Sequence, residues 1–302
     1  MANNHSHLLN YHDAIIYPSD LALLDSSTAW LNDACMNFQM TRLQQTQGDR
    51  RGATKEEERK GMDDDAGCID QLEDMFIDPS VLSFLMHQLT EDDEDYDDEL
   101  SNLNASWNLP KPPTSVHQCD GMKKLGKEAL HAQKSTQTHQ RKRIFLPISD
   151  QFGASRSTFA RPGGGYHWSL LLWEINTHSD GFSASVGVDF HHFDSSRGYN
   201  ASAAIAVAKK LLKVLGASMS KDDGVADVVE VLECQTPQQR NGYDCGVFAL
   251  GFTEALSASD DYGFVKEDHE ALLQSHFEEK GGHGEFASGL RKQIGDDIRA
   301  LA

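Results

Sequence analysis

The chain has 302 residues, enough for one or two domains with a sizeable core. Only 39% of them are hydrophobic and 8% aromatic, a deficit that long polar insertions would explain. The formal charge of −20 argues against nucleic acid or anionic lipid as partners, since both call for clustered Lys and Arg.

No apolar run approaches the roughly 18 residues of a membrane span. The start, Met1-Ala-Asn-Asn-His-Ser-His7, lacks the basic and apolar regions of a secretory signal, so a soluble cytoplasmic or nuclear protein is expected. The five cysteines (Cys35, Cys68, Cys119, Cys234 and Cys245) are odd in number, scattered and never spaced Cys-x-x-Cys. That disfavours both a disulfide framework and a cysteine-rich zinc site. Arg141-Lys-Arg143 is too short to establish nuclear import.

Taken in chain order, residues 8–45 mix apolar and polar positions, and a helix is expected from Trp30 through Gln44, with Asp25 or Ser26-Ser27 as capping oxygens. Thr46 to Gly67 is charged and nearly free of large apolar residues. From Ile77 to Leu89 a short helix is expected, with Pro79 in its first turn. The acidic run Glu91–Glu99 opens a second polar stretch that reaches Gln140. The expectation is one catalytic domain over 8–302 with polar, flexible insertions near 46–68 and 91–140.

The remainder alternates strands and helices. Arg143–Ile148 reads as a strand, and Ser149–Tyr166 as a loop. Trp168–Ile175 suits a buried strand, and Ser183–Phe193 alternates Val186, Val188 and Phe190 as a second. Asn200 is placed to cap a helix through Leu215. Val228–Cys234 is a third strand, Gly246–Leu256 an apolar helix, and Ala287–Leu301 a closing one. This mixture predicts an α+β fold with a central mixed sheet flanked by helices.

The segment Gln239-Arg-Asn-Gly-Tyr-Asp-Cys245-Gly246 carries the chemistry. It sets a lone thiol at the mouth of a helix, with an amide side chain six residues earlier. His167 precedes one strand of the expected hairpin and Asp194 follows the other. With the turn centred near Asp180, paired residue numbers sum to about 361, which brings His167 opposite Asp194 to within roughly two positions. Thiol, imidazole, carboxylate and amide together are the parts of a cysteine acyl-transfer enzyme. Cys245 would attack, assisted by the helix dipole and a protonated His167. Asp194 would orient the imidazole, and Gln239 would donate to the oxyanion with the Cys245 N–H. Gly246 would let substrate backbone approach the nucleophile.

A single cysteine before an apolar helix is usually just a small buried hydrophobe. The conjunction of three local patterns with the hairpin register is what favours catalysis here. Cys35, Cys68, Cys119 and Cys234 lack such company and read as structural or incidental. His269-Glu270 lacks a second His at the spacing of a zinc metalloprotease, and the adjacent His191 and His192 point to opposite faces of a strand. No metal or cofactor is expected.

These residues resemble the ubiquitin-like-protein-specific (sentrin-specific, Ulp-type) cysteine proteases. That family shows Gly-x-His-Trp-Ser-Leu, Asp-Ser and Gln-x-Asn-x-x-Asp-Cys-Gly in this order; here they read Gly165-Tyr-His167-Trp168-Ser-Leu, Asp194-Ser195 and Gln239-Arg-Asn241-Gly-Tyr-Asp244-Cys245-Gly246. The resemblance implies a papain-like fold, catalytic His167, Asp194, Gln239 and Cys245, and cleavage after the terminal Gly-Gly of a ubiquitin-like modifier. It further implies that Trp30 and Trp168 clamp that glycine tail and that Asp33 meets the modifier. Tyr11 and Leu23-Leu-Asp…Trp30-Leu-Asn-Asp33 look most like the deneddylase branch, whose modifier is carried by cullins. The alternatives are a SUMO or ubiquitin protease on the same fold, an acetyltransferase using the same Cys–His site, or a non-catalytic modifier-binding protein. A monomer with no nucleic-acid or membrane partner is expected.

Overall fold

A computed structural model describes residues 7–61, 71–88, 96–109, 117–118, 138–153, 167–179, 184–215, 229–259 and 266–302. The strands are β1 (Leu9–Tyr11), β2 (Ala14–Ile16), β3 (Gln71–Phe76), β4 (His117–Gln118), β5 (Thr138–Ser149), β6 (Trp168–Ser179), β7 (Ala184–Phe193) and β8 (Leu232–Cys234). The α-helices are α1 (Pro18–Asp25), α2 (Asp33–Gly61), α3 (Pro79–Ser83), α4 (Tyr96–Ser106), α5 (Ala201–Val214), α6 (Cys245–Ser257), α7 (Lys266–Glu279) and α8 (Gly282–Leu301). Among the described residues no helix is long and apolar enough to cross a membrane.

The main sheet runs β3-β5-β6-β7-β4, with β8 also paired to β7. β6 pairs antiparallel with β5 on one side and β7 on the other, while β3, β4 and β8 join in parallel, so the sheet is mixed. Side chains alternate across it, as the pleat requires. Phe145, Leu170, Leu172 and Phe193 face a core built with α1, α2, α6, α7 and α8. Ile144, Leu146, Leu171, Trp173 and Phe190 face a second core built with α3, α4 and α5. Layers of helix therefore cover both sides of an α+β sheet.

Helix α6 is apolar around its whole circumference, and nearly all of its residues are buried, as a central helix demands. Gly251 leaves room for α8 to dock: a Cβ there would stand 2.2 Å from Cζ of Phe286. A buried arginine grips each end of α6. At its C-terminus Arg143 Nη1 donates to Leu256 O (3.0 Å) and Ser259 O (2.9 Å), while Asp74 holds the same guanidinium at 2.7 Å through both oxygens. Arg291 acts at the other end, described below.

Several expectations shift. The helix expected from Trp30 starts at Asp33, where Asn32 Oδ1 accepts from Cys35 N (3.1 Å). The polar stretches expected as flexible insertions contain regular structure: α2 continues through Gly61, and α4 with the residues after it buries Leu100, Trp107 and Leu109. Arg141-Lys-Arg143 is not a presented basic motif, because Lys142 and Arg143 are buried within β5. The expected loop is helical (3₁₀) over Asp150–Gly153, and residues 154–166 of it lie outside the described residues. Residues 62–70 and most of 110–137 lie outside them too.

Candidate active site

The hairpin pairs Leu170 with Phe193, so its register is displaced by two from the sequence expectation. Asp194 thus stands two positions short of the level of His167, and the side chains bridge that gap. His167 Nε2 lies 2.6 Å from Asp194 Oδ1. The thiol of Cys245 stands close enough to the same imidazole to raise its pKa. Cys245 is the first residue of α6, with Asp244 as its N-cap. The turn into the helix is made by Asn241, whose Oδ1 accepts from Tyr243 N (3.1 Å) and Asp244 N (3.0 Å). An Asx turn of this kind positions the first helical N–H groups, and so the thiol beside them. The three residues are buried, Cys245 to 2% exposure.

Electrostatics follow from that burial and pairing. Burial opposes a charged His167, yet its pairing with Asp194 and Cys245 outweighs it and pushes the imidazole up to about 9. Burial would also raise Asp194, but the bond to His167 and the N–H groups of Ser196 (2.8 Å) and Asn200 (3.1 Å) hold it below the usual carboxylate range. The other described thiols sit differently. Burial, then Asp20, pushes Cys35 up to about 12, and burial likewise raises Cys234. Both stay protonated, in keeping with structural roles. Cys68 and Cys119 lie outside the described residues.

Gln239 is tethered to the segment that carries Asp194. Its N–H donates to Ser195 O (3.0 Å), Ser195 Oγ donates to its Oε1 (2.7 Å), and its Nε2 donates to Asn241 O (2.6 Å). A primary amide has two N–H donors, so one is left to aim at a substrate. Thr236 Oγ1 (2.6 Å) and Gln238 Nε2 (3.0 Å) donate to Asp194 O, fastening the same loop to the end of β7.

Three contributors escaped the sequence reading. Asn200, expected as a side-chain cap, makes no such bond; its Nδ2 donates to Ser169 Oγ (2.9 Å) and His167 O (3.3 Å) and ties the imidazole segment to α5. The exposed Tyr199 ring stands 4.8 Å from that of His167. Arg291, from α8, donates through Nε (3.1 Å) and Nη2 (2.8 Å) to Asp244 Oδ1, and also to Ala29 O (2.7 Å), Tyr243 O (3.2 Å) and Leu23 O (3.3 Å).

The residues expected to form the slot come from two segments. Trp168 Nε1 donates to Leu31 O (3.1 Å), which sets the β6 indole beside the Trp30–Leu31 segment. Trp30 is 40% exposed. Asp33 is exposed in the first turn of α2. Gly246 has a different role from the one expected: a Cβ there would meet Leu31 Cβ at 3.2 Å and Met36 Sδ and Trp168 Cδ1 at 3.3 Å. Its missing side chain admits the protein's own Trp168 wall, not substrate. None of the four candidate catalytic residues belongs to the one cluster of possible metal ligands among the described residues.

Papain-like cysteine proteases are built this way, with thiol and imidazole brought together from a helix start and a sheet, and the chain falls in that class. More narrowly, it belongs to the Ulp1 protease family, whose C-terminal catalytic domain matches residues 80–280. It is 34% identical over 131 residues to "Sentrin-specific protease 8" from Homo sapiens, covering 43% of this chain and 49% of that protein, about half its length. A longer match, 24% over 250 residues, links it to "Probable sentrin-specific protease 8" from Dictyostelium discoideum (82% and 74% covered). "NEDD8-specific protease 1" from Arabidopsis thaliana is 34% identical over 130 residues (42% and 46%).

Proposed function

We propose that this protein is a deneddylating isopeptidase that cleaves after the C-terminal Gly-Gly of a NEDD8-type modifier, freeing it from a lysine of a cullin-class target and trimming its precursor. The observation that carries the reading is the chain of contacts Cys245–His167–Asp194, with His167 held charged between thiol and carboxylate. The preference for this modifier rests on the names borne by the relatives.

In this reading Cys245 attacks the glycine carbonyl as a thiolate paired with the His167 imidazolium. The N–H groups at the start of α6 and the Gln239 amide receive the oxyanion. His167 then protonates the departing lysine amine and next deprotonates the water that releases the modifier. Asp194 keeps the ring oriented throughout. Trp30 and Trp168 form the slot that admits glycines and excludes larger side chains, and Asp33 contacts the modifier body.

The test is a panel of NEDD8, SUMO and ubiquitin bearing a C-terminal electrophile. An adduct with NEDD8 is expected that disappears in Cys245→Ala and persists in Cys35→Ala. Labelling indifferent to Cys245 would end the catalytic assignment. Faster labelling by SUMO or ubiquitin would leave the catalytic residues standing and overturn the choice of modifier.

A further inference from the structure

Three residues before Asp194 on β7, behind Phe193, a second polar cluster is sealed inside the core that faces α6 and α7. Glu174 of β6, His191 of β7 and His269 of α7 are 0%, 0% and 1% exposed. His191 Nε2 and His269 Nε2 both face one oxygen, Glu174 Oε2, at 3.2 and 3.5 Å. The three ligand atoms lie within 4.8 Å of one another.

Protons account for only part of this arrangement, the hydrogen bond between His269 Nε2 and Glu174 Oε2. The approach of His191 Nε2 to Glu174 has no hydrogen-bonding alignment, and Glu174 Oε1 and His269 Nδ1 have no hydrogen-bond partner. Buried polar atoms left in that state are costly. The neighbouring cation gives no relief. Arg143 is the cross-strand partner of Glu174, but its donors are committed to Asp74 and to the carbonyls closing α6. On the other side Glu174 pairs in register with Asp189, a second buried carboxylate. The site thus concentrates negative charge and imidazole nitrogen in a dry interior.

We propose that Glu174, His191 and His269 bind a divalent transition-metal ion of the zinc class. Two imidazoles and a carboxylate are a donor set that zinc takes readily. Metal–ligand bonds of about 2.0 Å in tetrahedral array place ligand atoms about 3.3 Å apart, which matches the two short edges. Cys234 Sγ lies 3.9 Å from the other nitrogen of His191, Nδ1, where it steadies the ring from outside the ligand set. The ion would join β6, β7 and α7. The next residue of α7, Glu270, accepts from Gln235 N at 2.6 Å, so the metal would brace the loop on which Gln239 stands. With every ligand buried, the ion enters during folding and exchanges slowly.

Sequence reading missed the site because it sought two histidines on one element. His269 finds its partners across the fold.

The full chain is expressed in zinc-supplemented medium, treated briefly with chelator, desalted and assayed for metal by mass spectrometry. About one zinc per chain is expected, lost in His269→Gln and in Glu174→Gln but retained in Cys245→Ala. Chain grown in cobalt should show visible ligand-field absorption of a low-symmetry site, which needs no variant and decides the matter should the variants not fold. A folded wild-type chain with no zinc and no cobalt spectrum would overturn the proposal and leave a proton-sharing ion cluster. Metal that follows Cys245 or His167 in place of Glu174 and His269 would overturn it equally.

Discussion

Replacing Arg291 with Met should damage the active site from a distance, and the structure sets the scale. The guanidinium is almost wholly buried and meets Asp244 Oδ1 through two nitrogens while satisfying the carbonyls of Leu23, Ala29 and Tyr243. Methionine fills much of the volume but strands a buried carboxylate next to the nucleophile. Truncating one partner of a buried pair costs about 3–5 kcal/mol. At about 2–4 °C per kcal/mol for a domain of this size, the melting temperature should fall by roughly 6 to 20 °C. Labelling by the modifier probe, measured well below the new melting temperature, should also slow, because the turn that aims Cys245 loses its anchor. A double variant, Arg291→Met with Asp244→Asn, should lose less than the two single losses combined. Unchanged melting in Arg291→Met, or strictly additive losses in the pair, would refute the claim that this ion pair holds the catalytic turn.

Gly246→Ala should cost about 1–3 kcal/mol by overpacking against Leu31, Met36 and Trp168, and should slow the modifier probe more than a small alkylating reagent, since the indole wall moves while the thiol remains. Equal slowing of both reagents would contradict that. Gln239→Ala should lower kcat about 100- to 1000-fold, and Ser195→Ala by less, because it frees the amide without removing it; fluorogenic modifier hydrolysis measures both. A Ser195 variant as slow as the Gln239 one would contradict the tether. Because the folded pKa of His167 is raised above its ordinary value, its contribution to stability is fully present below about pH 6.5 and is lost as pH rises through about 9. The contribution is at most about 3 kcal/mol, so wild-type melting should decline across that window more steeply than that of His167→Gln.

What was legible in the sequence was what is local. The alternation Val186, Val188, Phe190 marks β7, and the apolar run after Asp244 marks α6, because periodicity is written into neighbouring residues. His167, Asp194 and Cys245 were legible for a related reason: each sits at an element boundary, where the strand and helix patterns stop. Elements of three residues, such as β1 and β2, are too short to show a period. Leu100, Leu103 and Trp107 carry a helical spacing, yet the acidic run before them masks it. Long-range pairing was illegible altogether. Arg143 looks like a surface cation until Asp74 and the end of α6 meet it, and Arg291 belongs to a polar helix until Asp244 does. Asn200 was correctly set before α5 but spends its side chain on Ser169 and His167, since buried polar groups take the partners that tertiary structure supplies.

The bracing of Asp244 by Arg291 has a consequence for the order of events in the life of the molecule. During synthesis, His167, Asp194, Gln239 and Cys245 all leave the ribosome before the residue that steadies the nucleophile's turn. A chain grown only that far carries these groups without the brace on the turn before Cys245. Full bracing of the turn that carries Cys245 therefore waits for α8 to dock.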